Sequence, residues 1–254
     1  MYSSARRSVR TPYRAFSVRK TARKSVAFSS TKPPVNRALS YESSKKTYVS
    51  RTIEDVHSGQ SLQLSQQSDY TSFVSFPSLS HDGSFGRSFD HIKLMSIRVS
   101  GTIQVSCVNS DDPMGVSPQF NGIFMLSIIC DKRPFVPDGV TTLPKFQELF
   151  GSYESVYGSP RLKDNVRHRY RLLGHVKKYI SSDKTHVQVP FFFRRRISSR
   201  KYPIWSSFKD PESSQTGGNY KNISKNALII SCVWVSVQNS NCSVYSQNVL
   251  HYVG

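Results

Sequence analysis

Arginine is the residue type in this chain whose spacing could do chemistry. Arg167, Arg169 and Arg171 fall at every second position, and Arg194, Arg195 and Arg196 follow directly on Phe191, Phe192 and Phe193. Alternate residues of a strand share one face. The first set would therefore form a row of guanidiniums, with Val166, His168, Tyr170 and Leu172 on the other face. Guanidiniums hold phosphates through paired N–H donors, and rings beside them offer faces on which unpaired bases stack. Taken alone, the three phenylalanines are as well explained by core packing. With Arg161, Lys163, Lys177, Lys178, Arg200 and Lys201, these arginines make residues 161–201 a candidate DNA-binding segment.

The charge of the whole chain agrees with that reading. Of a net +19, residues 1–51 hold 13 Lys+Arg against the single acid Glu42, and residues 161–201 hold 13 against Asp164 and Asp183. The remaining residues carry a net of −4. A chain needing only solubility would mix its signs. Charge of one sign in two blocks creates a field that a polyanion neutralises, with release of condensed counterions when the polyanion is nucleic acid. A solvated basic tail and one basic face are the plainer alternative.

Enzyme chemistry has no comparable signature. There is no Gly-rich phosphate loop, Gly-x-Ser-x-Gly elbow or His-Glu-x-x-His, and no cofactor motif. His168 and His175 would need two well-placed cysteines to hold zinc, and Cys130 and Cys232 lack ligand spacing. Cys107, Cys130 and Cys232 lie in apolar runs and are expected as free thiols in or near a core, in a reducing, intracellular setting. The first 30 residues contain no apolar stretch of a signal peptide. The longest apolar run, 227–237, is too short for a membrane span, so any membrane contact is expected to be peripheral.

The elements that must position the arginines read as β. Residues 1–51 are polar and basic without period, and predict a disordered arm. Residues 52–254 predict one β-sandwich body of about eight strands, among them seven segments rich in β-branched and aromatic residues, 70–76, 92–108, 123–130, 166–180, 186–193, 227–237 and 244–253. Gly101 marks an expected bulge or bend in the second of these. Leu143, Phe146, Leu149 and Phe150 lie at helical spacing, with Pro144 expected at the first helical position and Gly151 just past the end. An all-β sandwich or jelly roll with one short helix is the expected fold.

In the arm, Arg6 with Arg7, Arg19 with Lys20, Arg23 with Lys24, and Lys45 with Lys46 are short basic clusters. Such clusters serve either nuclear import or nucleic-acid contact, and charge does not separate the two.

Several stretches occur in one order along the chain: Ile92-Lys-Leu, Gly101-Thr, Asp131-Lys-Arg-Pro, Phe146-Gln-Glu-Leu-Phe-Gly, Phe208-Lys-Asp, Tyr220-Lys-Asn-Ile-Ser-Lys-Asn-Ala-Leu and His251-Tyr-Val-Gly. They resemble the nuclear shuttle proteins of bipartite begomoviruses, plant geminiviruses with two circular single-stranded DNA components. The likeness covers about residues 60–254. It implies a non-enzymatic carrier without cofactor, which binds viral single-stranded DNA and also double-stranded DNA. Such a carrier enters and leaves the host nucleus and passes the genome to a viral movement protein at the cell periphery, on the cytoplasmic side of the membrane.

The resemblance also implies partners and signals. Host import and export receptors are expected, as are a host nuclear acetyltransferase and receptor-like kinases. Import would use Arg6, Arg7, Arg19, Lys20, Arg23, Lys24 and Arg37 in the arm, with Arg87 and Lys93 in a second stretch. Export would use residues 179–193, where Ile180, Val187, Val189 and Phe191 stand in place of the family's leucines. The fold it implies is that of a relative of the geminivirus coat protein, a jelly roll with a basic arm. The coat protein itself is the alternative function, distinguished by assembly into closed shells. A metal-dependent nucleic-acid enzyme is a third, opposed by the lack of clustered acids.

Overall fold

A computed structural model of the chain describes residues 48–57, 62–79, 86–108, 120–135, 143–209 and 218–254. The chain there forms eleven strands: β1 (Ser50–His57), β2 (Gln63–Leu64), β3 (Ser68–Phe73), β4 (His91–Cys107), β5 (Phe120–Asp131), β6 (Tyr170–Ser182), β7 (His186–Arg196), β8 (Trp205–Phe208), β9 (Ile223–Lys225), β10 (Ala227–Ser236) and β11 (Ser240–Val253). The first sheet runs β1-β11-β4, with β7 beside most of β4, β8 beside its start, β9 beyond β8, and β2 beside β11. The second runs β3-β10-β5-β6, and the strand pairs of both are antiparallel. Setting aside the short β2, β8 and β9, the strands divide into sheets β1-β11-β4-β7 and β3-β10-β5-β6, the chain crossing between them at every step but β5 to β6, which is jelly-roll order.

The burial pattern explains the layering. In β4, Ile92 and Leu94, and then Ile97, Val99, Ile103 and Val105, are buried in step with period two on either side of a register shift at Met95, while the residues between them are partly open, so the first sheet has one core face and one outer face. β10 is buried throughout, as is β5 from Gly122 to Asp131. Their outer side is covered by helix α1 (Phe146–Phe150), whose Phe146, Leu149 and Phe150 are buried, and by a 3-10 turn at Tyr153–Val156. Asp69 of β3 anchors this cover, accepting the Phe146 N–H at 2.8 Å and the Tyr153 hydroxyl at 2.6 Å.

Several sequence expectations are corrected here. β1 begins at Ser50, so residues 50 and 51 belong to the sandwich rather than to the arm, and the chain up to residue 47 lies outside the described residues. Pro144 precedes the cap residue Lys145 instead of opening the helix, while Gly151 does follow its end, at φ 97°. Gly101 is not a bulge: the pairing with β11 runs unbroken through it, and the register shift lies at His251/Tyr252. Glycine is required at 101 by close approach, because a Cβ there would meet Tyr245 O at 2.0 Å. Cys130, Cys232 and Cys242 are buried and Cys107 is half-buried, all as free thiols. Among the described residues no helix is long and apolar enough to cross a membrane.

Candidate nucleic-acid interface

The expected arginine row does not exist as a row. A 3-10 turn spans Asp164–Val166 and β6 starts only at Tyr170, so Arg167 and Arg169 precede the strand and share no face with Arg171. Arg167 pairs with Asp164 at 2.6 Å and donates from Nε to Leu162 O at 3.0 Å. Arg169 turns inward onto the fully buried Asp131, which also accepts from the Tyr220 hydroxyl and the Arg133 N–H. Burial first, and then the Asp131 charge, push the Tyr170 phenol up to about 12. Burial and its bond to Asp131 drive Tyr220 upward too. The acid that β5 buries at its end therefore claims an arginine that period-two spacing had assigned to solvent. Arg171 is exposed on β6.

Other members of the segment divide in the same way. The Lys177 ammonium donates to Val156 O and Gly158 O, tying β6 to the 3-10 turn, and burial lowers its pKa. Lys178 is half-buried. Arg161, Lys163, Arg200 and Lys201 are exposed, Lys201 lying 5.4 Å from the Tyr202 ring centroid.

On β7 the sequence pattern produces an open basic face. Val187, Val189, Phe191 and Phe193 turn toward the core: the Phe191 ring sits 5.7 Å from that of Phe124, and Phe193 packs against Gly174. Phe192, Arg194 and Arg196 turn outward, and Phe192 is 60% exposed. Period two thus splits the three phenylalanines, and only the middle one is free to stack on a base. Arg195 is exposed although it alternates with the outward pair.

β4 and β11 extend that face. Antiparallel register sets Arg98 opposite Arg194, Ser96 opposite Arg196 and Ser100 opposite Phe192. On the far side of β4, Val249 lies opposite Arg98, His251 opposite Ser96 and the exposed Tyr245 opposite Thr102. Two arginines directly opposite each other repel, and Arg98 Nε is shielded from solvent with no hydrogen-bond acceptor among the described residues. A phosphate between the two guanidiniums would relieve both costs. Glu54, the acid that β1 places on this face, accepts from Gln247 Nε2 at 2.9 Å. Sequence reading did not assign Arg98, Tyr245 or His251 to DNA. Alternation along β4 was the signal for Arg98, since its neighbours Ile97 and Val99 are both apolar.

The signal residues implied by resemblance fare differently. Arg6, Arg7, Arg19, Lys20, Arg23, Lys24 and Arg37 lie outside the described residues. Arg87 is fully buried, its guanidinium 3.7 Å above the Phe208 ring and its Nη1 donating to Phe89 O, so the folded body withholds it from an import receptor. Lys93 is half-buried between Val253 and Trp205. Ile180 and Phe191 are buried, and Val187 and Val189 pack partly buried against the core. These four are not displayed as an export element in the folded sandwich.

The geminivirus coat protein/nuclear export factor BR1 family matches residues 2–254. The chain belongs to this family. Among curated relatives, the nuclear shuttle protein of African cassava mosaic virus (isolate Nigerian) is 43% identical to this geminivirus-family chain over 224 residues, covering 88% of it and 87% of the relative. The nuclear shuttle protein of Squash leaf curl virus is 30% identical over 203 residues, covering 80% and 78%. A solved Merkel cell polyomavirus virus-like particle chain shares 12% identity at a TM-score of 0.19, covering 89% and 81%, too weak a likeness to bear on the fold. The jelly roll of this geminivirus-family protein rests on its own strand order.

Proposed function

We propose that this geminivirus-family chain is a nuclear shuttle protein, which binds viral single-stranded DNA and carries it between nucleus and cytoplasm. The observation that carries the reading is the outer face of the first sheet, where exposed Phe192 lies beside Arg194, itself opposite Arg98. A ring beside guanidiniums lets any base stack while the arginines hold any phosphate, so binding is sequence-tolerant and favours unpaired strands over duplex. The basic clusters before residue 48 add charge to the same task or serve import, as do the exposed Arg161, Lys163, Arg171, Arg195, Arg200 and Lys201.

Hand-over to a viral movement protein at the cytoplasmic side of the cell membrane follows from this role. Contacts with host import and export receptors, a nuclear acetyltransferase and receptor-like kinases belong to the same reading. Relatives named nuclear shuttle protein support the carrier over the coat protein, whose name the family also bears.

Localisation of a fluorescent fusion in plant cells, with and without an export-receptor inhibitor, tests the shuttling. Nuclear signal that rises under the inhibitor is expected, and an unresponsive nuclear signal would favour the coat reading. For DNA, neutralising ~6–10 phosphates gives log K against log salt a slope of roughly −4 to −7. A slope near zero would remove the electrostatic basis of the proposal.

A further inference from the structure

At one end of the sandwich the chain leaves the first sheet in β9 and enters the second in β10. Asn226 makes that crossing with a left-handed backbone, φ 56°. Its carboxamide donates to Trp205 O at 2.6 Å and accepts from the Cys130 thiol at 3.6 Å, while its carbonyl accepts from Ser206 Oγ at 2.7 Å. These bonds fix the wall of a pocket of about 190 Å³, lined by Cys130, Lys132, Arg171, Trp205, Lys225 and Asn226 among others.

Three cations enter this pocket from three separate elements: Lys132 just after β5, Arg171 on β6 and Lys225 on β9. Among the described residues no carboxylate lines it. Asp131, the nearest acid in sequence, is fully buried and held by Arg169 and Tyr220. Lys132 is itself positioned, donating to Arg167 O at 2.9 Å with two ammonium protons left over. Convergent cations without a carboxylate among them form an anion site.

Trp205 gives the pocket a second character. Its half-open ring lies 5.3 Å from His91 and 5.8 Å from Tyr48, and Tyr48 stacks on Phe89 at 4.7 Å. An aromatic cluster thus adjoins the anion site. Its volume lies below the ~300–1,000 Å³ of sites that enclose a drug-sized ligand. It suits one phosphate with part of its sugar, leaving a base at the rim.

We propose that this pocket is a second contact for single-stranded DNA, holding one nucleotide unit with its phosphate on Lys132, Arg171 and Lys225 and its base against Trp205. The assignment rests on the single-strand-binding reading above and is separate from the Phe192 face. It joins the two sheets to one strand of nucleic acid, because Lys132 follows β5 and Arg171 lies on β6 of the second sheet while Trp205 and Lys225 belong to the first.

The chain's two tryptophans make the test direct. Trp234 is fully buried with its Nε1 bonded to Ser240 Oγ, so Trp205 is the tryptophan that a bound base can reach. An oligo-dT titration of the full chain is read two ways: anisotropy of a labelled oligonucleotide for binding, and tryptophan emission with an unlabelled one for the pocket. Quenching is expected in the wild type and not in W205F. Replacing Lys132, Arg171 and Lys225 together by Ala is expected to weaken binding about tenfold and to flatten the salt slope by ~0.7 for each phosphate no longer neutralised. If that variant unfolds, R171A/K225A, which alters two exposed side chains only, carries the same expectation in smaller measure. Full anisotropy change with unchanged emission overturns the pocket and leaves the DNA reading intact. No anisotropy change in the wild type overturns the DNA reading itself. Equal quenching by inorganic phosphate alone overturns the nucleotide assignment in favour of a simple anion site.

Discussion

Arg169 lays its guanidinium along the carboxylate of Asp131, with Nη2 2.8 Å from Oδ2 and Nε 3.1 Å from both oxygens. The fork also reaches Phe135 O at 2.9 Å, so one side chain ties the end of β5 to the loop beyond it and to the start of β6. Asp131 is fully buried, and its charge is tolerated because Arg169, Tyr220 and the Arg133 N–H surround it. Removing one partner of a buried pair costs ~3–5 kcal/mol. The low end applies here, because Arg169 keeps some solvent exposure and the other two donors remain.

Arg169→Ala is therefore expected to lower unfolding stability by about 3 kcal/mol in a urea titration. Arg171→Ala, two residues away and exposed, is expected to stay within ~0.5 kcal/mol of wild type. Equal effects would mean that Asp131 does not depend on its ion pair.

Phe192 and Arg194 act on DNA through different physics, and their variants carry different signatures. Phe192→Ala removes a stacking platform and is expected to cost ~1–3 kcal/mol of single-strand affinity with the salt slope unchanged. Arg194→Ala removes a phosphate partner and is expected to reduce the slope by ~0.7. It also leaves Arg98 without the like charge opposite it, so stability rises slightly or holds. Oligonucleotide anisotropy across a salt series, with thermal unfolding of each variant, checks all three.

What could be read from the sequence follows from the range of each interaction. β4, β5, β7, β10 and β11 are long, and their apolar period or unbroken apolar run is set by burial against one partner layer, a local signal. β1, with Thr52, Glu54 and Asp55, carries little of that signal and becomes a strand because β11 pairs with it along its whole length. Arg167 and Arg169 show the limit most plainly. Alternate spacing is necessary for a shared strand face, but Asp164 and Asp131 capture the two side chains through contacts 3 and 38 residues apart in sequence. The second of these could not be seen before β5 and β6 were placed side by side. The pocket at Trp205 likewise unites residues from 130 to 226, which no local motif joins.

Alkaline pH should loosen the cover of the second sheet. Burial first, and then its bond to Asp69, push the Tyr153 phenol up to about 12. The folded state thus favours the protonated phenol more than the unfolded chain does, at its ordinary ~10. Stability from this group is fully present below pH ~10 and lost as pH rises toward about 12. Ionisation also sets a phenolate against the Asp69 carboxylate, which holds the start of α1 through the Phe146 N–H. A late tyrosine phase in a near-ultraviolet absorbance titration is expected, coincident with loss of tertiary circular dichroism. Tyr153→Phe should retain a late phase from Tyr170 but lose amplitude; an unchanged amplitude would place Tyr153 in solvent.

The inward face of β7 makes a final prediction about nuclear export. Ile180 on β6 and Phe191 on β7 are buried, and Val187 and Val189 pack partly buried against the same core, so a receptor that grips spaced apolar side chains meets all four only when β6 and β7 come away from the core. Phe191→Ala is expected to cost ~3–5 kcal/mol of stability, as for other buried aromatics. A loss of that size would impair export through the fold whether or not a receptor ever touches the ring. Val189→Ala is milder, since Val189 is only partly buried. If export proceeds through such local opening, this variant loosens the packing of β7 while shortening only one of the four apolar side chains a receptor would grip. Nuclear retention should then change little or even fall, as the melting temperature drops by a few degrees. Retention that rises in strict proportion to lost stability across both variants would show that the interior residues matter to export only through the fold. In that case the element that an export receptor reads would lie elsewhere in the chain.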